Sequence, residues 1–233
     1  MLLEDTLAAG FAALGVTPDS GAAARYRIYF EHLEKMKAVM NLTAISGEED
    51  VARLHFLDCA ALLGMADFRG RRVIDVGTGA GFPGLALKIA CPDMELLDSL
   101  DKRIGFLRNT CALLGFDDVR CIHARAEEAP AELHAGFDIA CSRAVARLNL
   151  LCELCLPLAK KGGAFIAMKG PDCADELNAA KRAIKLLGGE VEDVKKYLVP
   201  GTDATHSAII IRKTADTPAK YPRRWAQIKK QPL

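Results

Sequence analysis

A glycine-rich turn at residues 73–84 constrains this chain more than any other feature. The segment reads Val-Ile-Asp-Val-Gly-Thr-Gly-Ala-Gly-Phe-Pro-Gly, and it connects an apolar stretch at 72–76, which predicts a strand, to a predicted helix at 83–90. Glycine allows positive φ angles and lets a ligand approach the backbone closely. The first turn of a helix adds free N–H groups. The pattern therefore predicts a site for a nucleotide-bearing cofactor.

Two cofactor classes fit such a turn. Residues 79–84 match the G-x-G-x-x-G pattern of dinucleotide sites, and Asp98 follows about 20 residues later, but the pattern alone is weak. Asp75, two residues before Gly77, completes the Asp-x-Gly-x-Gly-x-Gly form of class I methyltransferases. Phe82-Pro83 is bulky where a pyrophosphate needs open backbone. These details favour S-adenosylmethionine over NAD, and a glycine turn without any ligand stays as an alternative. A phosphate loop is excluded because no Gly-Lys-Ser/Thr follows.

From residue 71 onward the chain alternates predicted strands and helices, which is typical of a doubly wound parallel sheet. The predicted strands are residues 72–76, 94–98, 119–123, 137–142 and 163–168. The predicted helices are residues 83–90, 102–114, 127–133, 147–160 and 173–187. Two further strands, 191–199 and 206–212, are separated by a short loop and predict an antiparallel closing hairpin. Class I methyltransferases end in this way.

The expected fold is therefore α/β: a Rossmann-like sheet of seven strands with a closing hairpin. Residues 1–66 read as an N-terminal helical extension, with helices predicted at 2–14, 22–39 and 46–63. Residues 67–213 form the predicted methyltransferase domain, and residues 214–233 a basic C-terminal segment. A chain of 233 residues suits one large domain with such appendages.

The composition of the chain indicates the cellular compartment in which the protein is expected. No apolar run reaches the roughly 18 residues of a membrane span, and the N-terminus lacks a basic leader, so a soluble cytoplasmic protein is expected. The eight cysteines, Cys91 among them, lie mostly in apolar segments, as reduced core thiols do. Cys152 and Cys155 form the only C-x-x-C, and no histidine cluster supports a metal site.

Charge is distributed unevenly along the chain. Residues 1–70 carry six Lys/Arg and ten Asp/Glu, whereas residues 195–233 carry nine Lys/Arg and two Asp/Glu. The basic C-terminal end suggests contact with nucleic acid, and a solvated basic tail is the alternative.

Ligands of doubly wound sheets lie at the carboxyl ends of the strands. Asp98 is placed there to accept hydrogen bonds from ribose hydroxyls, or else to cap the next helix. Ala126 and Glu127 are placed to contact adenine, although acids are also common in the first turn of a helix. Arg143 is expected beside the methyl-donor end, unless it forms a surface salt bridge, and Lys169 is expected to face a polyanion.

Over nearly its whole length the sequence resembles one family, the ribosomal RNA small-subunit methyltransferase G family, also called glucose-inhibited division protein B. The resemblance rests on the following segments: Asn41-Leu42-Thr43-Ala44-Ile45, His55-Phe56-Leu57-Asp58, residues 75–84, Leu96-Leu97-Asp98-Ser99, Lys102-Arg103, Arg125-Ala126-Glu127, Ser142-Arg143-Ala144, Lys169-Gly170, Tyr221-Pro222-Arg223-Arg224 and Pro232-Leu233. The glycine turn is generic, but these motifs in this order are specific.

The resemblance implies methyl transfer from S-adenosylmethionine to guanine N7 in the decoding-region loop of 16S ribosomal RNA. The cofactor contacts expected from the turn, the strand ends and the resemblance are Gly77, Gly79, Gly81, Phe82, Asp98, Ala126, Glu127 and Arg143. The candidate RNA-binding residues are Arg143, Lys169, Arg223 and Arg224. Guanine N7 carries no proton, so no general base is expected among the catalytic groups.

Several alternatives stay open from the sequence. They are a methyltransferase acting on another RNA or a small molecule, an NAD-dependent oxidoreductase, and a non-catalytic ribosome-binding protein. The partner is expected to be 16S RNA or the small ribosomal subunit, without membrane or metal, and a monomer is the working expectation.

Overall fold

A seven-stranded sheet runs through the part of the chain that the structure, a computed structural model, describes. It describes residues 2–90, 94–98 and 100–233, with residues 94–97 through the backbone alone. The strands are β1 (Val73–Val76), β2 (Met94–Asp98), β3 (Arg120–His123), β4 (Phe137–Arg143), β5 (Ala159–Lys169), β6 (Gly189–Leu198) and β7 (Thr205–Lys213).

The sheet has the order β3-β2-β1-β4-β5-β7-β6. Strands β1 to β5 are parallel to one another, and β7 runs antiparallel between β5 and β6. Strand order reverses between β1 and β4, so this is the point at which a crevice opens at the carboxyl ends of the strands. Strand β6 lies at one edge, and its pairing with β7 shifts register between Val191 and Asp193.

Helices cover both faces of the sheet, and the alternation of strand side chains decides which residues meet them. On one face, Ile74, Phe165 and Ile209 pack against the helices that follow β4 and β5. On the other face, Val73 and Ile166 belong to a second apolar cluster. The longer helices are Leu3–Leu14, Ala22–Met40, Gly84–Ala90, Asp101–Leu114, Leu148–Cys155, Ala174–Leu186 and Trp225–Lys230.

A helical segment with mixed geometry lies between the N-terminal helices and β1. It is α-helical at Glu48–Val51, π-helical at Ala52–Leu57, α-helical again at Asp58–Ala60 and 3₁₀ at Ala61–Gly64. The sequence predicts one helix over 46–63, and the structure replaces its middle with a π turn. π turns are rare in proteins as a whole, but many of those that occur lie at functional sites.

The N-terminal helices are tied to the helix that follows the glycine turn. The hydroxyls of Tyr26 and Tyr29 are fully buried and donate to the carbonyls of Ala86 and Ala80. These helices share one apolar core with residues of that region, including Phe82. The division of the chain at residues 66 and 213 stays a prediction, since the N-terminal part does not bury its apolar surface by itself.

Most other predicted elements agree with the observed ones, and two further helices do not. The helix predicted at 127–133 is wrong: the structure has two 3₁₀ turns, Ala126–Glu128 and Ala131–Leu133. Pro130 separates them, because proline lacks an N–H and pushes the preceding residue into an extended conformation. The helix predicted at 147–160 ends at Cys155, and β5 begins at Ala159.

The described cysteines are all free thiols, and Cys152 and Cys155 are fully buried in their helix. The predictions for Cys91 and Ser99 lie outside the described residues. Within the described ranges, no helix combines the length and apolar character needed to cross a membrane.

Replacing Tyr26 with Phe tests the tie between the N-terminal helices and the glycine turn. The substitution keeps the ring and removes a buried hydrogen bond of 2.8 Å to Ala86 O, so we expect the free energy of unfolding to fall by about 1 kcal/mol. Urea unfolding measures this change. Tyr221→Phe is the matched control, because the Tyr221 hydroxyl makes no hydrogen bond in the described part of the chain. An equal loss of unfolding free energy in both variants would contradict a stabilising role for the Tyr26 hydrogen bond.

Candidate cofactor and substrate site

The buried carboxylate of Asp75 fixes the glycine turn by a hydrogen bond to the backbone. Asp75, at 0 % exposure, accepts a 2.7 Å hydrogen bond from the N–H of Gly84, at the start of the following helix. Burial raises the pKa of Asp75 to about 6. Above the carboxylate, Gly77 has φ +70°, and a Cβ there would lie 2.4 Å from the Val145 side chain. Position 77 therefore requires glycine for both its conformation and its close approach to the loop after β4.

Asp98 lies at the carboxyl end of β2, beside the turn. One of its oxygens accepts from Gly79 N–H at 2.9 Å, and the other from Leu100 N–H at 2.9 Å. The carboxylate does not cap the helix Asp101–Leu114, whose N-cap is Leu100 without a side-chain cap. A carboxylate offers about four acceptor positions, so Asp98 keeps capacity to accept from ribose hydroxyls while it holds the turn.

A cavity of about 220 Å³, here called the first cavity, opens between the ends of β1 and β3. Gly77, Ala126 and Glu127 line it, together with Val145 and Trp225. The Glu127 Oε1 atom is buried and lies 3.8 Å from the Arg125 guanidinium, but it accepts no hydrogen bond from the described residues. A buried acceptor without a hydrogen bond is costly, and the amino group or a hydroxyl of an adenosine moiety would donate one to it. The residues present therefore fit the cofactor that the sequence predicts.

A larger cavity of about 700 Å³, the second cavity, opens at the ends of β4 and β5. Val145 borders both cavities, so the two lie side by side across one residue. The loop after β4 also contains Ala144, which adopts φ +56°, a conformation that non-glycine residues avoid. Strain of this kind concentrates at binding and catalytic sites.

The buried carboxylate of Asp58 is the centre of a group of hydrogen-bonded side chains that we call the Asp58 network. Besides Asp58, its members are Arg143, Tyr197, His206 and His55. Arg143 donates to Asp58 Oδ2 at 3.1 Å. Tyr197 and His206 each donate to Asp58 Oδ1 at 2.8 Å. Arg143 also lies 2.9 Å from His55 Nδ1. The network joins the π turn, the end of β4 and the closing hairpin at the wall of the second cavity.

The partners of His55 fix its tautomer. Arg143 can only donate, so Nδ1 of His55 must accept, and its Nε2–H then donates to Thr43 Oγ1 at 2.8 Å. Burial and the Arg143 charge lower the pKa of His55 to about 3. His206 behaves oppositely, since its hydrogen bond to Asp58 raises its pKa.

The Asp58 carboxyl carries the negative charge of the network. Burial alone would raise its pKa, but the hydrogen bond from His206 and the Arg143 charge lower it below its ordinary value. An ionised Asp58 therefore lies between the Arg143 guanidinium and the His206 ring, with a neutral His55 beside Arg143. Arg143 is held inside this arrangement and does not form the surface salt bridge that the sequence left open.

Phe82 packs within this region. Its ring lies 4.2 Å from the His55 ring and 5.5 Å from the Tyr29 ring, nearly parallel to both. The Arg143 guanidinium lies 5.0 Å from the ring centroid. With 5 % exposure, Phe82 supports the site from inside and offers no open face for a base.

Two candidate RNA-binding cations already have partners within the chain. Lys169 pairs with Glu176 at 2.7 Å and donates to Ala146 O. Arg223 forms a two-point ion pair with Glu153. The geometry does not support these two as free phosphate ligands. Arg224 is exposed and makes no ion pair in the described ranges.

Several site residues were missed by the analysis of the sequence. Tyr197 and His206 are directly opposite each other in the closing hairpin, and the short loop between the two predicted strands was the signal that could have paired them. Trp225 was missed because nothing in the sequence placed the C-terminal segment beside the glycine turn. Among the described residues, no group of histidine, cysteine and carboxylate side chains could hold a metal ion.

Comparison with protein families gives one match over most of the chain. Residues 23–203 match the family model described as rRNA small subunit methyltransferase G. A relative named ribosomal RNA small subunit methyltransferase G from Clostridium perfringens is 43 % identical over 90 % of both chains. A relative of the same name from Acetivibrio thermocellus is 39 % identical and covers 99 % of this chain and 97 % of its own.

Solved structures show the same fold at low identity. A branched-chain polyamine synthase variant from Thermus thermophilus aligns with a TM-score of 0.63 and 13 % identity, covering 87 % of this chain and 66 % of that one. A ribosomal protein L11 methylase from Lactobacillus delbrueckii aligns with a TM-score of 0.52 and 16 % identity, covering 70 % and 80 %. These likenesses confirm the predicted class I methyltransferase fold.

The lowered pKa of His55 predicts a defined pH dependence of stability. Between pH 6.5 and about 3 the unfolded chain binds a proton at His55 that the folded chain refuses. The stabilising contribution is therefore complete above pH 6.5 and is lost as the pH falls. We expect His55→Gln, which can keep both hydrogen bonds, to reduce the loss of unfolding free energy between pH 7 and 4.5. Urea titrations at several pH values measure it.

The exposed His134 provides the control for this measurement. His134→Gln should leave the pH dependence of the unfolding free energy as it is in the unsubstituted chain. If the unfolding free energies of His55→Gln and of the unsubstituted chain fell by the same amount between pH 7 and 4.5, the neutral, buried state of His55 would be refuted.

Proposed function

The chain belongs to the rRNA small subunit methyltransferase G family, and we propose that it transfers a methyl group from S-adenosylmethionine to N7 of a guanine in the decoding-region loop of 16S ribosomal RNA. The observation that carries this proposal is the pair of cavities that meet at Val145, at the reversal point of a class I methyltransferase sheet. The first cavity suits the ring system of a cofactor base, and the second is large enough for a substrate base.

The cofactor residues of the proposal are those around the glycine turn and the first cavity. Gly77 lines the first cavity, and Gly79 leaves open space beside the turn. Gly81 lets the turn pack closely on the N-terminal helices, because a Cβ there would lie 2.4 Å from the Tyr29 hydroxyl. The Asp98 carboxylate and Glu127 Oε1 provide acceptors. Ala126 contributes the backbone wall beside Glu127. No feature of the described site favours a dinucleotide, since Phe82 and its stacked partners fill the space beside the turn.

The substrate guanine is proposed to enter the second cavity. When bound, S-adenosylmethionine would supply an electrophilic methyl group on sulfur. The lone pair of guanine N7 would form a bond to that methyl group as the carbon–sulfur bond breaks and S-adenosylhomocysteine leaves. Since N7 carries no proton, the wall of the second cavity needs no base, which suits a network in which His55 donates through Nε2–H and accepts from Arg143. The protein then acts by holding its two ligands in place, an effect that can lower a barrier by roughly 7–11 kcal/mol.

Phosphate contacts are proposed for exposed cations around the two cavities. Arg147 lines the second cavity and is exposed, and Arg224 is exposed next to Trp225 at the first. Arg143 lies in the wall of the second cavity. Its guanidinium N–H groups that are not used within the Asp58 network are proposed to contact the substrate. A ribosomal substrate implies that the enzyme acts in the cytoplasm, and we propose that it does so as a monomer on 16S RNA or the small subunit.

The decisive experiment is methyl transfer from labelled S-adenosylmethionine to 16S RNA and to small subunits that lack the modification, with the product nucleoside identified. We expect label in 7-methylguanosine at one position. Asp98→Ala should lose cofactor binding and transfer but keep RNA binding, because Asp98 does not face the second cavity. Label in another nucleoside, or none despite cofactor binding, would overturn the substrate assignment.

Arg224→Ala tests the phosphate contact at the C-terminal segment. Loss of one phosphate contact should weaken RNA binding at all sequences and reduce the slope of log K against log salt by about 1. Filter binding between 50 and 200 mM salt measures both. Arg69→Ala is the matched control, since Arg69 is exposed just before β1, at the amino ends of the strands. An unchanged slope for Arg224→Ala would remove this residue from the interface.

A further inference from the structure

Trp225, the single tryptophan of the chain, lines the first cavity. We propose that Trp225 forms the aromatic wall of the adenosine subsite, so that the C-terminal segment, which the resemblance assigns to RNA, is also part of the cofactor site. This inference rests on the proposed use of S-adenosylmethionine, and it adds a residue and a segment to that site.

The position of Trp225 is set by the ion pair two residues before it. Glu153, with 1 % of its side chain exposed, accepts from the backbone N–H of Arg223 at 2.8 Å and from its guanidinium at 2.8 and 2.7 Å. Glu153 precedes Leu154, which lines the same cavity. The buried pair therefore brings the C-terminal segment to the helix that forms one side of the first cavity.

Two apolar anchors hold the segment on either side of the ion pair. Tyr221 is 9 % exposed, and Ile228, three residues after Trp225 in the terminal helix, is fully buried. Both belong to the main core of the sheet face, against which Trp225 itself packs. A tryptophan held at three neighbouring points is a preformed wall, so binding a ligand against it costs little ordering entropy.

The chemistry of the first cavity matches an adenine ring. Ala126 and Glu127, in the turn after β3, line the same cavity as Trp225. Glu127 Oε1 lies 3.8 Å from the Arg125 guanidinium and accepts no hydrogen bond from the described residues. An aromatic wall and a buried acceptor complement a flat ring that carries an amino group. The volume of about 220 Å³ is below that of sites for whole drug-sized ligands, so the cavity suits one ring system, with the rest of the cofactor passing Gly77.

This placement changes the roles of the two adjacent arginines. Arg223 is a positioning residue for the cofactor, because it holds Trp225 through Glu153. Arg224 is exposed on the same segment and remains available to phosphate. Cofactor and RNA would then contact neighbouring residues of one segment, and any free energy that couples the two ligands acts equally in both directions.

The test is a titration of the full chain with S-adenosylhomocysteine, followed by calorimetry and by Trp225 emission, which has no other tryptophan to overlap it. We expect saturation to change the emission, and Trp225→Ala to weaken binding at least 5-fold, as loss of stacking on a base does. Trp225→Phe should keep most of the affinity. Arg223→Gln should weaken cofactor binding, and exposed Lys230→Ala should not.

The outcomes separate this inference from the proposed function. Absence of S-adenosylhomocysteine binding to the unsubstituted chain would refute the proposed cofactor and the inference together. Binding with unchanged emission, or with equal affinity in Trp225→Ala, would refute the inference alone. If Trp225→Ala fails to fold, the comparison of Trp225→Phe with Trp225→Leu decides, because only an aromatic side chain should restore the affinity.

Discussion

The buried charge of Asp58 is the constraint on which the arrangement of the site depends. A carboxylate at 1 % exposure must be matched by donors on both oxygens. Those donors come from Arg143 at the end of β4 and from Tyr197 and His206 in the closing hairpin. One ionised group therefore fixes how a π turn, a parallel strand and an antiparallel hairpin meet, and the second cavity is the space left between them.

Buried charges recur with the same role elsewhere in the molecule. Asp75 holds the start of the helix after the glycine turn, and Glu153 holds the C-terminal segment through Arg223. In each case the carboxylate accepts at least one backbone N–H, so it fixes main chain as well as side chains. Val76 and Leu154, the residues that follow these two carboxylates in the chain, line the first cavity, so both carboxylates fix backbone next to it.

The sequence predicted the sheet and the glycine turn well because both depend on local pattern. Apolar runs, glycine spacing and the hairpin loop are visible within a few residues. The sequence did not predict the ion-pair partners of the long cationic side chains, because Lys169 and Arg223 contact acids 7 and 70 residues away only after folding. The helix predicted at 127–133 failed because Pro130 outweighed the surrounding propensity. Trp225 was missed for the same reason as the ion pairs, since its contacts are long-range.

Among the strands that the structure describes, β6 is an edge strand that leaves one row of backbone groups without a neighbour, and such a row can pair with another chain. It carries charges of both signs, with Glu192 and Asp193 followed by Lys195 and Lys196, and its ladder shifts register between Val191 and Asp193. Charge and local irregularity are among the devices that keep open sheet edges from associating. The hairpin that supplies His206 and Tyr197 to the site thus also carries the charges and the irregular pairing that disfavour association at this edge.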